Sequence, residues 1–124
     1  MSGVKQGEIY WVFAKDLDIV GHEQEKERPY VIVSRDRIND LGKNVVGVPL
    51  STKLHKACAH RVKIPAQLMV ENPDSKRTLV DSVALTDHIR VLDISRLEQP
   101  KIGSLSLTAI GGLELALAFL FDIR

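Results

Sequence analysis

A chain of 124 residues with 44% apolar and 27% charged side chains has the composition of one folded domain, which excludes a disordered or membrane-embedded protein. A formal net charge of +1 excludes any case for nucleic-acid binding from bulk charge, so a basic surface has to be sought locally. The lone cysteine, Cys58, excludes an intrachain disulfide; with an N-terminus, MSGVKQGEIYW, that lacks the apolar stretch of a signal peptide, a reducing cytoplasmic setting is expected.

The first predicted strand is EIYWVFA, Glu8 to Ala14, with Ile9, Trp11 and Phe13 on one face at period two. A polar loop, GHEQEKE, follows and ends on Arg28, which Pro29 biases toward extended backbone at the head of the strand PYVIVS. SRDRINDL, Ser34 to Leu41, fits a turn or two of helix. NVVGVPLS, HRVKIP and LVDSVALT supply further short strands, and HIRVL and KIGSL two shorter ones. DISRL, Asp93 to Leu97, fits another helical turn. Ser106 is placed to cap a final helix in which Ile110, Leu113, Leu117 and Leu120 recur at spacings of three and four. Gly111 and Gly112 oppose that helix unless packing holds it or a close approach requires them. Its apolar end, Leu113 to Ile123, is too short to span a bilayer, which takes roughly 20 residues, and reads as core-facing. Short strands with no helix between successive pairs predict a small, mainly β antiparallel barrel with a C-terminal helix, as a single domain over residues 1–124.

Three places carry candidate chemistry. HKACAH brings His55, Cys58 and His60 together, but metal sites need a closed ligand set and no second pair matches this one, so no metal is assigned. From Lys53 to Lys63 there are four basic residues, Lys53, Lys56, Arg61 and Lys63, and no acid; this is a candidate for backbone phosphate contacts that position a nucleic acid without reading bases. In the polar loop, His22, Glu23 and Arg28 put an imidazole, a carboxylate and a permanent cation close together, the group types that RNA cleavage by a ribose 2′-hydroxyl requires. No glycine-rich phosphate loop and no GxSxG elbow occur.

The order GEIYWV, GHEQ, ERPYVIVS, Asn39, VVGVPLS, DSVALTDHIR and SRLEQPKIGSLS resembles the MazF/PemK toxin family, from about Gly7 to the final helix. The resemblance implies an SH3-like barrel, a homodimer, metal- and cofactor-independent endoribonuclease activity on single-stranded RNA, and a cognate antitoxin with a disordered C-terminal tail. It places the essential arginine on Arg28 and the phosphate-binding hydroxyl on Ser51, with Thr52 as second choice. It also carries over His22, Glu23 and Gln24, with Gln24 expected to contact RNA, and puts an acid–base aspartate on Asp87. Three departures stand out: Leu85 where PemK-like members carry arginine, His88 where glutamine is usual, and Glu25, Lys26 and Glu27 where glycine is common. His88 adds a further possible proton carrier and RNA contact.

Arg28 is read as an electrostatic clamp, since a guanidinium is not deprotonated in proteins. The base is then His22 first, Glu23 or Asp87 second, leaving a cyclic phosphate and a 5′-hydroxyl. The competing expectations are a gyrase poison of the CcdB type, acting through the C-terminal helix end, and a family member that has lost cleavage.

Overall fold

A computed structural model describes residues 3–13 and 27–123 of the chain. Its strands are β1 Glu8–Val12, β2 Arg28–Ile32, β3 Asn44–Ser51, β4 Val62–Ile64, β5 Met69–Glu71, β6 Ser82–Ala84, β7 Arg90–Asp93 and β8 Gly103–Leu105; its helices are α1 Asp36–Leu41 and α2 Leu107–Phe121. The strands pair antiparallel in the order β4-β6-β3-β2-β1-β8-β5, with β7 also on β3. The result is a mainly β, nearly closed barrel with a C-terminal helix.

Strand β3 is the hub, because its eight residues serve three partners in succession. Residues 44–47 pair with β7, 47–49 with β2 and 50–51 with β6. Gly47 lies where two of these ladders meet: a Cβ there would come within 2.8 Å of Leu92 and 3.2 Å of Tyr30. Just beyond β2, Asn39 of α1 is fully buried and ties the bend together, accepting from Ser34 Oγ and donating to Ser34 O at 3.0 Å, while Ser34 Oγ accepts from Val46 N at 3.0 Å.

Both faces of the central strands are buried. Ile9, Val31, Val48, Leu50 and Ala84 face α2, with Trp11 packed against them. Tyr10, Val12, Tyr30, Ile32, Val45, Leu92 and Leu97 form a second cluster. Alternation therefore continues along β1, and the face opposite Ile9 and Trp11 is covered as well; Phe13 lies past the strand end and is exposed. Tyr10 in this second cluster donates to buried Glu8, which also accepts from Lys5 N and from Lys101 Nζ, both at 2.6 Å. The Lys101 pair fastens the segment before β8 to β1.

Several element boundaries move. LVDSVALT contributes only Ser82–Ala84 and HRVKIP only Val62–Ile64. DISRL is a single 3-10 turn, Ile94–Arg96, whose preceding Asp93 side chain accepts from Ser95 N at 2.9 Å. Strand β5, which the sequence reading lacked, is held by pairing with β8. Ser106 caps α2 as expected, its Oγ accepting from Ala109 N at 3.2 Å. Only one side of that helix is core: Ala109, Leu113 and Ala116 are buried, whereas Leu107, Leu115, Phe119, Phe121 and Ile123 beyond its end are exposed. Neither Gly111 nor Gly112 is a close approach, since an added Cβ would meet nothing nearer than 3.9 Å. Among the described residues no helix is long and apolar enough to cross a membrane.

Candidate active site

Arg28 opens β2, where Pro29 needs no ladder donor, and pairs with Val12 of β1. The β2–β3 register sets Tyr30 against Pro49 and Val31 against Val48, so Arg28 and Ser51 each lie two residues beyond the last pair of that ladder, Ser51 having passed to β6. Ser51 pairs with Val83 of β6, and Val83 with Lys63 of β4. Paired residues of antiparallel strands point to the same face. Ser51, Val83 and Lys63 thus make one row across three strands, spanning about 10 Å at ~4.8 Å per strand, with Arg28 at the head of the neighbouring β2.

Within that row Ser51 is 8% exposed, and its Oγ accepts from Lys53 N at 3.2 Å. The contact fixes the hydroxyl oxygen and begins the basic connector. The 3-10 turn Leu54–Lys56 then packs against β6, bringing Lys53 and Lys56 beside the row. Thr52 and Lys53 are exposed.

A second group gathers where β4 begins and β6 ends. Cys58 and Arg61 close a tight reversal through their backbones, and the Thr86 hydroxyl donates to His60 O, joining it to the 3-10 turn Thr86–His88. Across this junction Arg61 Nε and Nη2 donate to Asp87 Oδ1 and Oδ2 at 2.7 and 2.6 Å. His60 Nε2 lies 3.9 Å and His88 Nε2 4.0 Å from the same Oδ2. The Arg61 fork holds the Asp87 carboxyl down to about 2, against the cost of its partial burial. Asp87 is then a fixed anion at neutral pH and a weak base, which fits anchoring Arg61 better than exchanging protons. Arg61, expected to reach a phosphate by itself, spends two N–H groups on this carboxylate.

His22, Glu23 and Gln24 lie outside the described residues, as do Glu25 and Lys26. Glu27 is exposed and accepts from Trp11 Nε1 at 3.3 Å. Cys58 Sγ sits 3.7 Å from His60 Nδ1, but among the described residues no three His, Cys, Asp or Glu side chains gather to hold a metal. The sequence marks His60 only as a candidate metal ligand within HKACAH. Its place beside Asp87 depends on β4 pairing with β6, which no local pattern announces. A further cluster also went unread: Arg77 stacks on Trp11, 3.8 Å from the ring centroid, while forking onto Glu98 at 2.6 and 3.0 Å. An apolar groove between β2 and α2, lined by Gly7, Val31, Val33, Ile110 and Leu117, holds none of the site residues.

Residues 5–121 match the sequence profile described as PemK-like, MazF-like toxin of type II toxin-antitoxin system. Among solved structures, the chain is similar to MazF from Deinococcus radiodurans, at 24% identity and a TM-score of 0.73, with 97% of each chain covered. It is similar to the Mycobacterium tuberculosis toxin MazF-mt6, at 20% identity and a TM-score of 0.69, covering 94% of this chain and 98% of that one. It is also similar to a mycobacterial endoribonuclease solved in complex with its cognate antitoxin, at 20% identity and a TM-score of 0.67, covering 98% of both chains.

Proposed function

Because the chain belongs to the family of PemK-like, MazF-like toxins of type II toxin–antitoxin systems, we propose that it is an endoribonuclease that cuts single-stranded RNA without a metal ion. The observation that supports this reading is a buried Ser51, its Oγ bonded to Lys53 N, in a row with Val83 and Lys63 and on the strand next to the one that Arg28 opens. A guanidinium and a hydroxyl on neighbouring strands are the groups that suit a phosphorus centre gaining negative charge. The ribose 2′-oxygen bonds to phosphorus as its proton leaves to a base. The bond from phosphorus to the 5′-oxygen breaks, and that oxygen takes a proton, leaving a 2′,3′-cyclic phosphate and a 5′-hydroxyl. Arg28 steadies the charge and Ser51 orients the phosphate, while Lys53, Lys56 and Arg61, with Thr52, Gln24 and His88, hold the flanking strand. The base is His22 or Glu23; Asp87 serves as an anchor.

The exposed Leu115, Phe119 and Phe121 on α2 support a homodimer, since a second copy would cover apolar area that water otherwise wets. The cognate antitoxin recorded with the similar mycobacterial endoribonuclease supports such a partner here. An acidic tail that orders on binding would compete with RNA for Arg28 and the basic connector. The test is incubation of antitoxin-free protein with a long unstructured RNA in EDTA. Fragments with 5′-hydroxyl ends are expected; intact RNA from folded protein overturns the reading.

A further inference from the structure

One oxygen of Asp87 has three nitrogen neighbours from three side chains: Arg61 Nη2 at 2.6 Å, His60 Nε2 at 3.9 Å and His88 Nε2 at 4.0 Å. With both imidazoles neutral the group carries no net charge, because Arg61 and Asp87 cancel. With both protonated it carries two positive charges in one small patch. Imidazole is the side chain that ordinarily changes charge between about pH 5 and 8. The rings are open to solvent, His60 at 33% and His88 at 56% of side-chain exposure, so an anion can reach them. Strand alternation puts Arg61 on the side of β4 that carries Lys63, about 7 Å along the strand from the row through Ser51. That offset is close to the step from one phosphate of an extended strand to the next.

We propose that His60 and His88, gathered with Arg61 on Asp87, form a phosphate-binding site switched on by protonation, and that this site grips the RNA backbone next to the phosphate being cut. The identity of the polyanion rests on the nuclease reading; the site itself rests on the geometry. Other ionisable groups around it are few. Cys58 Sγ touches His60, Lys63 follows on β4, Arg90 opens β7 two residues after His88, and the 54–56 turn against β6 adds His55 and Lys56. Strand β3 contributes none between Asn44 and Ser51, and α2, packed against both β4 and the 86–88 turn, carries Glu114 alone between Leu107 and Phe121. An anion that favours both imidazolium forms must take up protons as it binds, so affinity rises as pH falls.

The experiment measures binding of a fully 2′-O-methylated RNA, which cannot be cut, between about pH 8 and pH 5.5. Wild type is expected to gain about tenfold in affinity over that range, and His60→Gln with His88→Gln flattens the gain. His60→Arg with His88→Arg, whose charges are fixed, is expected to hold the low-pH affinity at pH 8. A pH dependence unchanged in the glutamine pair, or absent from wild type, overturns the proposal while leaving the nuclease reading intact. Inorganic polyphosphate forms a parallel arm. If it shows the His60- and His88-dependent gain while RNA binds at no pH, the site stands and the nuclease reading falls; if neither polyanion binds, the site is overturned.

Discussion

Asp87 accepts from Arg61 with both carboxylate oxygens, a two-pronged contact between a turn after β6 and the residue before β4. Because the pair keeps Asp87 ionised down to about 2, this carboxyl cannot supply a titration near neutrality. Asp87→Asn should therefore lower kcat/KM by disorienting Arg61 and the histidines, without displacing the acidic limb of the pH–rate profile. A displaced limb would return Asp87 to proton transfer.

The same pair should be visible in stability. A depressed carboxyl stabilises the fold above its ordinary value of 3.8, and the contribution is lost as pH falls through about 2. For a partly solvated pair the amount is about 1 kcal/mol. Urea unfolding of wild type and Arg61→Ala should differ by that much at neutral pH and converge near pH 2.

Arg28→Ala should reduce cleavage by about 10² to 10³-fold with an unchanged thermal midpoint, because it removes a charge donor from a strand end and not from the core. Arg28→Lys should recover little, since an ammonium cannot present a planar fork. Ser51→Thr should stay active. Ser51→Ala should lose activity and about 1 kcal/mol of stability, the contact to Lys53 N being lost with the hydroxyl. Rapid cleavage by Arg28→Ala would remove Arg28 from the site.

Burial first, and Glu8 beside it second, push the Tyr10 hydroxyl from 10.0 up to about 12. A raised acid stabilises the fold fully below 10.0 and loses that contribution as pH climbs to about 12. Alkaline unfolding should accordingly set in across this window, with tyrosinate absorbance rising as the fold is lost. Tyr10→Phe should weaken the pH dependence; an unaltered alkaline curve would assign it to other groups.

Gly103 pairs with Ile9 and Glu71, and a Cβ there would lie 2.3 Å from Val70 O, a backbone atom that cannot turn aside. Gly103→Ala should cost about 3 kcal/mol and lower Tm by roughly 10 °C. A variant as stable as wild type would mean that β5 and β8 separate easily.

What could be read from the sequence is what local chemistry dictates. Ser106 was legible as a cap because a side chain bonding three residues ahead is a local event, and Arg28 because the following proline fixes its backbone. Strand β5 was not, since Met69–Glu71 is too short to show a period and exists through its ladder with β8. The buried role of Tyr10 and Val12 was hidden for a related reason: what covers them, Leu92 and Leu97, arrives from far along the chain. His60 and Asp87 stand 27 positions apart, and only strand pairing makes them neighbours. The family resemblance supplied Arg28 and Ser51 as a pair, which neither residue's surroundings could have done alone.

Strand β1 finds its second partner only at Gly103 and Ser104, near the end of the chain. With β2 on one side and β8 on the other, β1 offers no open edge to a stray strand, so the short pairing at Gly103 and Ser104 guards the apolar first strand against edge-to-edge aggregation.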